Sequence, residues 1–469
     1  MRGLAVFFLI VALIAPASAF DWGGSLENTS YVLVTKTGSP NSTFSEVPVT
    51  RLWTNWNFDQ VTTLLVKGNL TDTYALGYGN GSSTTNTFTG DIDYFVFATK
   101  SLWIGRTDFR DFSATVLNTK LDGIQAVLSR PNLDLKGMAG TSALLFKSGN
   151  TIVISEDDTK ERQVLEDFRN SSTLWAPPRL FVYVEATGKE WIPDQTFHLG
   201  ALVQQDMRAG EAKDGDSGNT NISSRQVGAP VSTNYFGAGG EGRIIGPFYW
   251  NLWAYLETGS SLTLVGPSTT VTSADRSKSV FQTWKTSTIL AGMGNIDLSL
   301  VMPSLANLLI DLGVQMGSWD PDGSSVNQNN PVSPGSLKPN TYTGWVAITP
   351  AAGNLIFNPQ PTNMLTTQLT ASVKPFEFLQ LLSVNSVFVR PSLDGAGAIT
   401  ESGLIANLDS QGNNRNKERY LGTESDLTAL LRPTSDLGGS LGVGLFVPNQ
   451  SAMTRNVEYK VQTNVNLSF

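Results

Sequence analysis

The clearest order in the chain is an alternation of apolar and polar residues with a period of two. Near the C-terminus, Val457, Tyr459, Val461, Thr463, Val465, Leu467 and Phe469 fall on one side, and Glu458, Lys460, Gln462, Asn464, Asn466 and Ser468 on the other. Successive side chains of a strand leave opposite faces, so this spacing predicts a strand with one apolar and one wet face. The pattern recurs upstream. Leu180, Val182, Val184 and Ala186 oppose Phe181, Tyr183 and Glu185. Phe197, Leu199, Ala201 and Val203 oppose Thr196, His198, Gly200, Gln204 and Asp206. Leu427, Ala429 and Leu431 oppose Glu424, Asp426, Thr428 and Arg432, while Arg51, Asn55 and Asn57 share a face. A polar face this consistent needs water, and the apolar face needs a core or lipid.

Nineteen strand-like segments can be marked. They start near Gly24, Val47, Val61, Asp91, Ser101, Asp122, Leu133, Arg179, Thr196, Thr233, Phe248, Ser279, Thr288, Leu308, Asn363, Gln380, Arg419, Gly438 and Val457. Bacterial barrels close with even numbers, so one segment is a split or false strand and about eighteen remain. Helical spacing is scarce; its best example is Pro303–Leu312. Tight connections are expected at 432–436 and 447–450, and long polar ones near 148–177, 207–231, 319–343 and 391–418. Together these predict an all-β chain: a transmembrane antiparallel β-barrel of about 18 strands (16–18), with short periplasmic turns and long extracellular loops. Trp53, Trp56, Tyr249, Trp250, Trp253 and Tyr255, near the expected strand ends, suit either an interfacial aromatic girdle or ordinary aromatic packing.

Composition agrees. Charged residues are 15% of the 469, against roughly 25% in an ordinary soluble domain, because a lipid-facing band excludes charge. The net charge of −8 speaks against a nucleic-acid partner. The absence of cysteine and the single histidine exclude disulfides, thiolate metal sites, a cysteine nucleophile and any His cluster. No metal and no cofactor is expected.

The N-terminus carries Met1-Arg2, an apolar run from Leu4 to Ala15, and Ala17-Ser18-Ala19. It reads as a secretory signal peptide over 1–19, followed by a single barrel domain over 20–469; the alternative is an uncleaved anchor helix. At the other end, the alternation through Tyr459, Val461, Val465, Leu467 and Phe469 resembles the insertion signal that the barrel assembly machinery of the bacterial outer membrane recognises. The expected partners are outer-membrane lipid, that machinery, and small hydrophilic or anionic solutes, with the chain a monomer.

Two pairs of motifs carry a family resemblance. Leu102–Arg106 followed by Leu121–Ile124 resembles the "GR…, DG" pair on neighbouring strands of porins and of the alginate-export family. Gly422–Leu427 followed by Leu441–Pro448 resembles that family's acidic "ExD" strand and Gly-rich "GxFxP" strand. The resemblance implies an eighteen-stranded monomeric barrel that passes an anionic polysaccharide or similar solute through an arginine-lined lumen.

The expected chemistry is a field across a narrow lumen. Candidate pore-lining residues are Arg51, Arg106, Arg179, Arg243, Arg432, Glu257, Glu424 and Asp426. An arginine fork matches a carboxylate bidentately, so the arginines suit carboxylate-bearing solutes. The same groups could equally pair with one another and hold the lumen together. An enzyme reading would rest on His198, which has no serine two residues on, and no enzymatic activity is expected. Gly239–Gly242 lacks the context of a phosphate loop, and Asp320–Gly323 is an acidic turn that could bind calcium. The leading function is therefore a porin-like channel for diffusion or export of small or anionic, uronate-type solutes. The alternative is a surface adhesin or receptor acting through its long extracellular loops.

Overall fold

The computed structural model describes residues 20–35, 41–78, 84–152, 154, 158, 174–208, 217–218, 230–265, 282–319, 341–342, 344–349, 353–393, 418–453 and 455–469. The expected signal peptide and Asp320–Gly323 lie outside the described residues.

Eighteen long strands follow in chain order. The first nine are β1 Phe20–Thr35, β2 Asn41–Asn57, β3 Thr63–Tyr78, β4 Thr84–Ala98, β5 Leu102–Arg110, β6 Asn118–Arg130, β7 Leu133–Thr141, β8 Arg179–Lys189 and β9 Gln195–Asp206. The others are β10 Val231–Ile245, β11 Phe248–Val265, β12 Gln282–Met302, β13 Leu308–Gly317, β14 Leu365–Phe376, β15 Leu379–Val389, β16 Tyr420–Leu431, β17 Leu437–Pro448 and β18 Glu458–Ser468. Each pairs antiparallel with its sequence neighbours. The last returns to the first, with Ser468 opposite Ser25 and Glu458 opposite Thr35. At the seam Phe469 and Gly24 exchange both backbone hydrogen bonds, each at 3.0 Å. The result is a closed antiparallel barrel. Ser217–Gly218 and Thr341–Tyr342 are two-residue bridges laid on β12.

The longest connections all leave from one end of the barrel. The turns 58–62, 99–101, 131–132, 190–194, 246–247, 303–307, 377–378 and 432–436 all lie at one end, with the ends of β1 and β18. The strand ends joined by 142–178, 207–230, 318–364 and 390–419 lie at the other. Three expectations change here. The segments marked at Ser279 and Thr288 are one strand, β12. The best helical candidate, 303–312, is a turn followed by β13, the strand marked near Leu308: Ala306 and Asn307 both have φ near +52°, and Leu308–Gly317 pairs on both sides. The connection expected to be tight at 447–450 is the end of β17 followed by 449–457 on the long-loop side.

The period-two split separates lipid from lumen. Leu26, Leu52, Ile124, Val184, Leu199, Leu256, Leu427, Val461 and Val465 are exposed on the outer wall. In water each would forgo roughly 1.5–3 kcal/mol of burial, so this outer wall belongs in lipid. Trp22, Phe58, Trp191, Phe376, Phe378 and Phe469 are exposed at the short-turn rim. Trp253 and Tyr255 take the packing alternative and are buried inside the barrel. Their odd-numbered positions on β11 are its lumen face, and Phe112 stacks on Tyr255 there.

Gly105 is indispensable to the wall. Its φ is +121°, and an added Cβ would lie 1.9 Å from the Phe95 carbonyl oxygen. Gly105→Ala is expected to destabilise the barrel by about 2 kcal/mol or more. The check is a lowered temperature for loss of the compact, heat-modifiable form on a gel, with Gly137→Ala, which meets open space, as the tolerated control.

Candidate functional site

The lumen is built from inward-facing side chains and from segments that fold in among them. Asp111–Leu117, parts of 142–178, and 344–349 supply Val116, Leu117, Leu145, Ile152, Trp345 and Ile348 to an apolar cluster with Phe181, Tyr183, Tyr235 and Tyr255. A second cluster joins Phe357 and Met364 to Phe388, Leu421 and Phe446.

Folding backbone into a lumen brings amides that need acceptors. Carboxylates on the wall supply several. Glu257 accepts the Val346 N–H at 2.8 Å, and the Val346 carbonyl accepts the Tyr235 hydroxyl at 2.7 Å. Glu424 accepts the amides of Ile356 and Phe357 at 2.6 and 2.7 Å, and Asp426 that of Leu355 at 2.9 Å. Glu257, Glu424 and Asp426 are accordingly buried. Asp111 ties its own loop, accepting from the Leu117 amide and the Tyr255 hydroxyl at 2.7 Å each.

The candidate arginines divide into three settings. Arg106 is nearly enclosed: it holds Asp122 bidentately at 3.0 Å, reaches Asp91 at 3.2 Å, and donates to the carbonyls of Ile92 and Leu144. It pairs across the ladder with Asp122, while Gly105 faces Gly123, so the "GR" and "DG" motifs meet in register. Arg179 is wholly buried between Asp158 and Asp206, at 3.0 Å from each, and donates to the Val231 carbonyl. Arg51 is half-buried on the lumen wall between Glu27 and Asp93. Arg243 stands exposed at the short-turn mouth, paired with Asp194. Arg432 follows β16 in the turn and is exposed there, so it is a turn residue rather than the strand residue its alternation suggested.

Sequence spacing gave no sign of the lysines. A bulge in β4 leaves Asp93 unpaired between Ile92, opposite Gly68, and Tyr94, opposite Lys67. Such a bulge re-aims neighbouring side chains. Asp93 then meets Lys120 and Arg51, and Tyr94 donates to Asp108 at 2.6 Å. Lys67 and Lys120 lie over the Tyr94 ring at 5.7 and 5.1 Å, Lys136 over Tyr183 at 5.6 Å, and Lys460 over Tyr31 at 4.7 Å. A doublet such as Asp93-Tyr94, breaking the two-residue alternation, is the signal that could have located the bulge.

Near the short-turn mouth, Asp194, Glu241, Arg243, Tyr249, Asp297 and Asp311 line a cavity of about 580 Å³. His198 lies on the same wall. Its ring stacks on Phe112 at 5.3 Å and 6°, and its Nδ1 is 3.1 Å from the Thr187 hydroxyl.

No protein family and no curated protein matches the chain by sequence. Among solved structures it is similar, with others, to the outer membrane proteins OpdK and OprD of Pseudomonas aeruginosa and to OccK5 (OpdH) of the same organism. For OpdK the identity is 12%, the coverage 96% of this chain and 99% of that one, and the TM-score 0.47. For OccK5 (OpdH) the values are 10%, 96%, 98% and 0.45. For OprD they are 9%, 97%, 95% and 0.46.

Removing a partner from an enclosed ion pair strands the other charge, at about 3–5 kcal/mol. Arg106→Ala is expected to lower stability by that amount, whereas Arg432→Ala stays within about 0.5 kcal/mol of the parent. Urea midpoints of the refolded protein in lipid check both.

Proposed function

We propose that the protein is a porin-like channel of the bacterial outer membrane that passes small anionic solutes, uronate-type sugars among them. The closed barrel with an apolar outer wall supports the membrane setting. One observation carries the solute class: on the wall from β4 to β8 the cation is the more exposed member of several lumen ion pairs. Lys120 is 31% exposed against 9% for Asp93, Lys136 23% against 10% for Glu185, and Arg110 58% against 35% for Asp108. The acids lie behind, and positive groups meet the solute. Across the lumen, Glu241, Asp297 and Asp311 provide acceptors. A solute with a carboxylate at one end and hydroxyls along its body suits such a pair of walls. The uronate end of this range is where the resemblance to the alginate-export family points. In this reading the alternating apolar face of β18, with Tyr459, Val461, Val465, Leu467 and Phe469, addresses the chain to the assembly machinery, and the barrel works as a monomer.

A second reading, a surface receptor with a plugged lumen, is favoured by the apolar cluster that the folded-in segments form. Planar-bilayer recording separates the two: steady conductance is expected from a channel, and its absence from the refolded protein supports the receptor. In a salt gradient the reversal potential is expected to show anion preference. Lys120→Gln with Lys136→Gln should weaken that preference several-fold, since one charge at contact distance in water is on the order of 1 kcal/mol. An unchanged potential would count against the cationic wall.

A further inference from the structure

The segment Gly353–Asn358 lies on a bed formed by three consecutive strands. From β16, Glu424 and Asp426 accept three successive backbone amides, those of Leu355, Ile356 and Phe357. From β17, Gly442 and Gly444 offer no side chain, and positions for their Cβ atoms would lie 3.2 Å from Leu355. From β18, Lys460 donates to the Leu355 carbonyl at 2.9 Å. The acidic ExD strand and the Gly-rich stretch Leu441–Pro448 singled out in the sequence thus meet at one segment of chain.

We propose that this segment is an acid-released latch, held against the lumen wall by the carboxylates of Glu424 and Asp426 and freed when they are protonated. The proposal rests on the channel reading. An ionised carboxylate accepts amide N–H groups through charge-assisted bonds. A protonated one presents an O–H donor and fewer acceptor sites to the same amides. The direction follows: the latch is seated at neutral pH and loosened as the pH falls through the range where these two groups take up protons.

The other groups facing the latch keep their charge through that change or carry none. Lys460 stays cationic but retains only the Leu355 carbonyl, a bond that water can replace. Arg455 lies over the Phe357 and Phe446 rings at 5.2 and 5.3 Å and is paired with Glu458. β15 contributes Ser386, whose hydroxyl meets Asn354 at 2.7 Å. Asn358 caps the amides of Gly353 and Asn354. Phe357, 1% exposed and packed on Phe388 and Phe446, is the fixed point about which Asn354–Ile356 swings. Because the bed is glycine, nothing takes the place of the departed latch, and the passage beside β16–β18 widens.

The chain has no cysteine, so introduced thiols report alone. Leu355→Cys, reconstituted in vesicles at neutral pH, is expected to react slowly with a small maleimide, and on the order of tenfold faster once Glu424→Gln and Asp426→Asn are added. Equal rates overturn the latch whether or not the protein conducts. In planar bilayers, conductance of the unsubstituted protein is expected to rise as the pH goes from about 7.5 to about 4. A disulfide between Asn354→Cys and Ser386→Cys is expected to abolish that rise, and reduction to restore it. A channel that conducts equally at both pH values overturns the latch and leaves the channel reading standing. Loss of all conductance would instead strike the channel reading, and labelling would still decide the latch.

Discussion

A strand in hydrocarbon has no water to satisfy its backbone, and the unbroken ring of ladders from β1 to β18 is the response to that constraint. Once Ser25 to Thr35 pair with Glu458 to Ser468, the ring is closed, β4 and β5 meeting over only Phe95–Ala98, and every strand must offer one face to lipid and one to the lumen. The outer wall of Leu, Val, Ile and Phe and the low overall charge both follow from that geometry. So does the placement of Phe469, whose backbone completes the seam with Gly24.

Inside, the same rule about unsatisfied backbone acts on the segments folded into the lumen. Their amides are taken up by Glu257, Glu424, Asp426 and Asp111, and their carbonyls in part by Arg106, Tyr235 and Lys460. Much of the lumen's charge is therefore committed to holding the interior together. Arg110, Lys120 and Lys136 are left more exposed than the acids they pair with.

Several site features were legible for simple reasons. Arg106 and Asp122 sit in short motifs on adjacent antiparallel strands, so one register brings them together. Glu424 and Asp426 share a face because they are two residues apart. Other features were hidden. Arg432 continues the alternation of β16 by one residue, but alternation does not say where a strand stops. Trp253 and Tyr255 have the composition of a girdle, yet Phe112 arrives from a distant loop to stack on Tyr255. The lysines over Tyr94 depend on a bulge, which a period of two cannot express.

The sequence by itself determined the barrel. Side-chain alternation is a local property of extended backbone, repeated often enough to count the strands and to place most of their starts within three residues; β12 was divided in two, and β1, β2, β4 and β6 begin four to seven residues before the marked positions. Only the tertiary structure decided what the lumen contains. Whether Glu257 faces solute or the Val346 amide depends on a chain segment almost ninety positions away, and contacts of that reach leave no period in the sequence. The outer wall is set by residues i and i+2; the inner one is set by whichever loop comes to lie on it.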